Sequence, residues 1–430
     1  MLRSAFSGSR VSGLLACCLA AVLLSGPACR KATRVTPGLR MDAAGAPLVR
    51  VRLVNGASRV SLGADQGALL SDAAGGNKIA LIPPGQRWDV VLFGPESQLR
   101  AAMPDGRVSG HHPEGIRVEA AGGSKTIEIN GRQYRGAATV FAVGAGGGGL
   151  MAVNTLPLEE YLVSVVPAEM GQLDMSRLEA MKAQAVASRS FAMSRIIRNR
   201  QFAFDLTADT GDQVYKGTAS ETPVAERAVM ETFGECLTMR GEAVAAFYHS
   251  CCGGRTADPG EVWGERFAEE APYLESVKDD DYDRQSKWSS WTVKWTRREL
   301  LDQLKKSLPG QLGISSADIG EPTDIEVVGK GPSGRNTLLK VATDKRIFQV
   351  RGDQIRRVLS QPDGRLLPST WFELKMKREG SEPVIVAEGR GNGHGLGLCQ
   401  WGATARAANG QSYGNILKHY YKGVRLARLY

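Results

Sequence analysis

The chain has 430 residues, of which 42% are hydrophobic and 51 are glycine, with a formal net charge of +9. That length and composition exclude a disordered chain and leave one large core or two to three domains in a turn-rich globular protein. The positive balance favours anionic surroundings: nucleic acid, phospholipid headgroups or an anionic cell wall. The basic residues are spread along the chain and no zinc-finger or RNA-recognition signature accompanies them, so nucleic acid is the weakest of the three and no nucleic-acid partner is expected.

In chain order, Arg3 and Arg10 precede an apolar run over residues 11–24, and Ser-Gly-Pro-Ala-Cys ends at Cys29. This is the pattern of an export signal over residues 1–29. No later segment has the ~20 apolar residues of a membrane span, so the mature protein is expected outside the cytoplasm, in the periplasm or cell envelope. Small residues before Cys29 are similar to a lipoprotein cleavage site, but Gly26 and Pro27 stand where an aliphatic and a small residue are usual. Lipidation at Cys29 and ordinary signal-peptidase cleavage therefore both stay open, and membrane contact is expected only through the signal or such an anchor. Cys17 follows a second lipobox-like site, yet it and Cys18 lie too early in the apolar run to be preferred.

Residues 30–47 are polar and read as a flexible linker. Residues 48–150 then form a β-rich part, with strands in VRVRLV, RVSLGA, KIALI, WDVVLF, IRVEAA, KTIEI and ATVFAV. The glycine run 146–149 is followed by Leu-Met-Ala-Val and lacks the Lys-Ser/Thr pair of a phosphate loop, so it reads as a hairpin tip.

Residues 155–197 carry the sharpest local signal. Thr155 and Pro157 are suited to opening a helix with an apolar stripe of Leu158, Tyr161, Leu162 and Val165. Pro167 predicts its end. Ser176 to Glu179 has capping-box spacing and predicts a second helix to about Arg198. Glu169 then falls between the two helices, either as a general acid or as a solvated loop carboxylate. The second helix has Ala180, Ala183, Ala185, Ala187, Ser188, Ser190 and Ala192 on more than one face, which predicts a central, buried helix approached closely by other backbone. Lys182, Gln184 and Arg189 must find partners there, either the carboxylate or a ligand, or internal hydrogen bonds.

Beyond it, Thr222-Pro223 predicts a capped helix stopped by Gly234, and ECLTM, Arg240-Gly241 and AVAAFYH predict a hairpin ending at His249. Trp288, Trp291 and Trp295 follow an acidic loop; they can stack on sugars but read more simply as packing. Thr296 to Glu299 is a second capping box opening a helix to about Ser307, before Leu308-Pro309-Gly310. Strands are predicted at 324–328, 337–342 and 346–350 and a short helix at 353–359. The glycines around His394 let backbone approach one imidazole closely, for a ligand-orienting or a structural role alike, and two short helices close the chain.

Outside residues 1–29 the cysteines are Cys236, Cys251, Cys252 and Cys399. An even count in an exported chain allows disulfides. His249-Ser-Cys-Cys with distant Cys399 equally offers metal ligands, without a CxxC pair to support them, and free thiols are the third reading.

The blocks NTLPLEEYLVSVVPAEM, LEAMKAQAVASRSFA, DQVYKG, AFYHSCCGGRT with VW, and GRGNGHGLGLCQWGA, spread over residues 51–423, resemble in order those of the sporulation stage II protein D and amidase-enhancer (SpoIID/LytB) family. The resemblance implies a peptidoglycan-directed protein and, in the sporulation branch, a lytic transglycosylase acting on glycan strands stripped of stem peptides by a partner amidase. Glu169 matches the family's catalytic glutamate. Gln184, Arg189, Gln213, Tyr215, His249, His394 and Gln400 match other family positions and are the candidate substrate-binding residues. No cofactor is required, and a structural zinc near the His249 block is known for some members. Asn392 stands where an aromatic is usual and Cys399 where Ser is usual; the latter thiol could pair with Cys251 or Cys252. The rival function is a non-catalytic wall-binding enhancer of a separate amidase. A zinc amidase is disfavoured, because no HxxE or HExxH helix is present among five histidines. The expected fold is α+β: the β-rich part, then a mixed α/β core over residues 151–430 around the buried central helix, with an α/β subdomain inserted at about 285–375.

Overall fold

The computed structural model describes residues 39–94, 96–144, 148–380 and 382–430. The export signal with Cys17, Cys18 and Cys29, and the linker up to residue 38, lie outside the described residues. Residues 40–47, expected to be flexible, are instead closed into a turn in which Asp42 Oδ1 accepts the Ala44 and Ala46 N–H groups and Leu48 N–H bonds Arg40 O. No helix among the described residues is long and apolar enough to cross a membrane.

The fold is α+β, as the periodicities predict. Residues 48–157 build two sheets. One has seven strands in the order Leu206–Thr207, Leu48–Ala57, Leu150–Pro157, Ala137–Ala142, Ile116–Ala120, Ala68–Asp72 and Lys78–Ile82. The other has five, in the order Gln98–Ala102, Arg87–Phe93, Arg59–Gly63, Ile127–Ile129 and Arg132–Tyr134. Ala137–Ala142 and Leu150–Pro157 pair in antiparallel register from Ala142↔Leu150, so the glycine run does join two hairpin strands.

Thr155 and Pro157 do not open a helix. They end the buried strand Leu150–Pro157, which leads directly into helix α1 (Leu158–Met170). Nor does Pro167 end α1. It lies inside the helix, three residues before the last, and Gly171 closes the turn with φ 78° and an N–H on Pro167 O at 3.0 Å. An interior proline costs about 3 kcal/mol. Burial of Val165 and Val166 offsets this, at roughly 1.5–3 kcal/mol for each side chain. Pro309 repeats the pattern: the helix Arg297–Leu312 opens with the predicted Thr296–Glu299 capping box, runs through the proline and stops at Gly313, whose N–H bonds Pro309 O.

Helix α2 (Leu178–Asn199) is preceded by a 3₁₀ turn, and the cap is Asp174, which accepts the Ser176 N–H at 2.8 Å. The expected Ser176–Glu179 box does not form; Glu179 bonds Lys182 and the Tyr413 N–H. Met181, Ala185, Phe191, Ala192 and Ile196 of α2 join the core of the β-rich part. Ala180, Ala183, Val186 and Ala187 join a second core made of residues 237–277 and 396–421. Small side chains on several faces are therefore required, because α2 is packed from two sides.

The expected hairpin is short. Glu235–Met239 has the two-residue strand Glu242–Ala243 as its hairpin partner and Arg425–Arg428 on its other edge, and the chain then leaves to place Tyr248–His249 parallel to Leu398–Cys399. A third core, with Trp291 and Trp295 buried and Trp288 packed against it, is built from the Arg297–Leu312 helix and two three-stranded sheets. Two strands of one sheet, Phe372–Glu379 and Glu382–Gly389, carry this unit past residue 375 to residue 389.

Candidate functional site

Glu169 sits in the last turn of α1, not on a break between helices. Its side chain is half-buried, and Oε1 accepts the Val214 N–H at 2.7 Å and the Tyr248 hydroxyl at 3.2 Å. Burial raises its pKa above the ordinary carboxylate range; the Val214, Tyr248 and Gln400 hydrogen bonds and the charge of Lys216 oppose that rise without cancelling it. No carboxylate is among its hydrogen-bond partners in the described residues. The rise is in the direction that favours a proton donor.

The hydrogen bonds around it have a fixed polarity. Tyr161 donates to Gln213 Oε1 at 3.2 Å, Gln213 Nε2 donates to the Tyr248 oxygen at 3.1 Å, and Tyr248 donates to Glu169. Because the Tyr248 oxygen already accepts from Gln213, its proton is directed at the carboxylate. Gln213 Nε2 also bonds Ser188 O of α2, which fixes the amide.

Of the expected binding residues, Gln400 lies near enough to Glu169 to favour its charged form, and Gln184 is joined to Gln400 at 3.4 Å. Gln213 acts through Tyr248. His249 and His394 lie one step away with ring centroids 5.7 Å apart, His249 following Tyr248 in the chain. Arg189 is placed elsewhere: wholly buried, it grips Glu159 with two bonds of 2.8 and 2.6 Å and also bonds Thr232, Val229 O and Glu235 O. Its partner is Glu159, in the first turn of α1, rather than Glu169 or a ligand. Tyr215 likewise turns inward, donating to Asn154 Oδ1 at 2.9 Å and packing on Tyr134 and Tyr161. Sequence reasoning missed Tyr248, Val214, Tyr161 and Lys216. Tyr248 was within reach, as the neighbour of His249 in AFYHSCC, whereas Val214 acts through its backbone and leaves no side-chain signal.

The glycines of 391–397 permit the predicted close approach. Gly393 has φ 110°, and a Cβ there would lie 2.7 Å from His249 Cβ; Gly397 has φ 66°, with Phe247 O at 2.1 Å from the same atom. The four cysteines of the described residues are buried free thiols, so no disulfide joins Cys399 to Cys251 or Cys252. Cys399 instead accepts the Gly402 N–H as cap of the helix Gln400–Ala408.

A metal-type donor set lies beside it. His249 Nδ1 is 3.0 Å from Leu396 O, which makes it the protonated nitrogen, while Nε2 is buried without a hydrogen-bond partner. One His249 ring nitrogen and the Cys252 and Cys399 sulfurs lie within 4.8 Å of one another, and the two sulfurs likewise with carboxylate oxygens of Asp279 and Asp283. One imidazole lone pair, two thiols and an adjoining carboxylate fit the nitrogen and sulfur preference of zinc. Asp279 is otherwise engaged with Arg406 and Tyr420.

The stage II sporulation protein (SpoIID) family model matches residues 146–239, and a domain of unknown function (DUF8618) matches residues 268–397. Stage II sporulation protein D of Bacillus subtilis is 31% identical over 291 residues, covering 64% of this chain and 76% of that protein. The chain belongs to the stage II sporulation protein D family. An uncharacterized protein of Brachyspira hyodysenteriae is 32% identical over 316 residues, covering 73% and 77% of the two chains. The amidase enhancer of Bacillus subtilis is 27% identical over 352 residues, or 72% of this chain and 46% of that one. Within this SpoIID-family protein the matched segment 146–239 holds Glu169, Gln184 and Gln213, whereas His249 and Gln400 lie outside both matches and His394 lies in the second.

Proposed function

We propose that this protein is an exported lytic transglycosylase of peptidoglycan that cleaves denuded glycan strands, with Glu169 as the sole general acid/base. Glu169 protonates the glycosidic oxygen as the bond to the muramyl anomeric carbon breaks. The resulting carboxylate then takes the proton of the muramyl C6 hydroxyl as its oxygen closes on that carbon, giving a 1,6-anhydro end and restoring the acid. The observation that carries the reading is a half-buried carboxyl whose pKa burial raises, oriented by hydrogen bonds from Val214 and Tyr248, with no carboxylate among its hydrogen-bond partners in the described residues. Hydrolysis of the ordinary kind needs two positioned carboxylates. Denuded glycan strands incubated with purified protein should yield 1,6-anhydromuramyl ends by mass spectrometry, and Glu169→Gln should yield none; equal yields from both would sink the assignment.

The similarity to an amidase enhancer supports a second reading, a wall-binding stimulator of a separate N-acetylmuramoyl-L-alanine amidase. In that case Glu169→Gln stimulates the amidase as well as wild type does. Both readings place the protein in the cell envelope. A structural zinc held by His249, Cys252 and Cys399 accompanies either; purified protein should carry about one zinc, lost in Cys252→Ser.

A further inference from the structure

Two tryptophans of the described residues are among the exposed large apolar side chains, Trp263 at 39% and Trp401 at 38% exposure; Trp88, Trp291 and Trp295 are buried. Trp263 ends the short helix Pro259–Trp263, and its ring meets Phe247 and Phe267 edge-on at 4.8 Å and His394 at 5.3 Å with a 43° tilt. The turn beneath it is fixed from both sides. Asp258 and Glu261 form a capping box, Glu261 accepts the Ser333 N–H at 2.8 Å, and Val262 O accepts the Asp353 N–H at 3.1 Å. The ring is thus immobilised without being covered. Next to it, Gly264 has φ 90° and open space where a Cβ would stand, and Gly264, Glu265 and Arg266 are exposed.

Its position relative to Glu169 follows from α2. Phe247 packs on Phe191 at 5.3 Å, and the adjoining Tyr248 reaches Glu169 and Gln213 beside Ser188. Ser188 and Phe191 are neighbours one turn apart on one face of the helix. Trp263 therefore lies one ring beyond the hydrogen bonds that hold the acid.

We propose that Trp263, backed by His394, is a carbohydrate-stacking subsite for the N-acetylated glycan strand that passes Glu169. This rests on the glycan-cleaving reading above. A pyranose with equatorial substituents presents a face of polarised C–H groups, which suits a fixed indole that is 39% exposed. A lone exposed ring among Gly264, Glu265 and Arg266 matches one sugar. A protein interface needs a patch on the order of 1,000 Å², and no other exposed large apolar residue occurs between 264 and 327 among the described residues.

The test uses the Glu169→Gln protein, which binds without turning over, titrated with a β-1,4-linked N-acetylglucosamine tetramer in a calorimeter. Adding Trp263→Ala or Trp263→Leu should weaken binding about tenfold, the scale of one stacked ring, while Trp263→Phe should stay within about threefold. The blue shift of tryptophan emission on titration should be lost in Trp263→Phe. If Trp263→Leu binds as tightly as its parent, the subsite is overturned and the glycan reading stands. If the parent itself does not bind, the glycan reading falls and takes the subsite with it.

Discussion

Burial favours the protonated form of Glu169, and that preference can be titrated. Its folded pKa is raised by burial above the unfolded value, so the folded state binds the extra proton in the window between the two. Stability contributed by that proton is lost as pH rises through the window, and acid catalysis is lost with it. Glu169→Gln cannot ionise, so at neutral pH it should unfold at a denaturant midpoint no lower than wild type despite losing turnover. Tyr248→Phe removes a donor that favours the carboxylate. The pKa should move up, carrying the alkaline limb of the rate profile to higher pH, with a lower maximum because the carboxyl is less well held. A downward shift of that limb would contradict this assignment of Tyr248. Arg189 shows where sequence reading stops at this scale. A buried guanidinium plainly needs a partner, but choosing Glu159 over Glu169 requires knowing which turn of α1 faces it. With both bonds to Glu159 buried, Arg189→Met should cost about 3–5 kcal/mol in urea unfolding; a loss below about 1 kcal/mol would mean the pair is not held as described.

At the scale of elements, legibility depended on whether the signal was local. Thr222 and Thr296 cap their helices as their spacing predicts, because a cap involves three or four consecutive residues. Pro167 and Pro309 misled, since each loses only a bond near a helix end while buried neighbours and a glycine four residues on complete the turn. The parallel pairing of Tyr248–His249 with Leu398–Cys399 joins segments 150 residues apart and has no local signature. The small-residue pattern of α2 was legible and its cause is now visible, two cores meeting on one helix. Ala187 faces the second of them with no exposed surface. Ala187→Leu should therefore destabilise by about 1–3 kcal/mol through overpacking, measured by urea unfolding, whereas a surface-facing position would tolerate the change.

For the whole molecule, the question is how the third core bears on a site it does not contain. The strands and the capped helix of residues 291–351 were legible from their local patterns, but the strands at 372–389 and the hold of this third core on the site were not. Arg335 supplies that grip. It is 1% exposed, makes no ion pair among the described residues, and donates to Cys252 O at 2.8 Å and Arg255 O at 2.9 Å. From the other side Asp283 accepts the Gly253 and Gly254 N–H groups. The turn after His249 is thus held by its carbonyls and by its N–H groups at once, and the glycine at 395 leaves room for the guanidinium where a Cβ would stand 2.8 Å from it. Arg335→Met keeps the length of the side chain and strands two buried carbonyls, each costing about 1–3 kcal/mol when unsatisfied. Hydrogen exchange at residues 252–256 should accelerate by one to two orders of magnitude, about 1.4 kcal/mol for each tenfold, while α2 amides keep their protection. Uniform acceleration across α2 would instead mean that Arg335 supports global stability, and unchanged exchange in the turn would mean that Asp283 alone holds it.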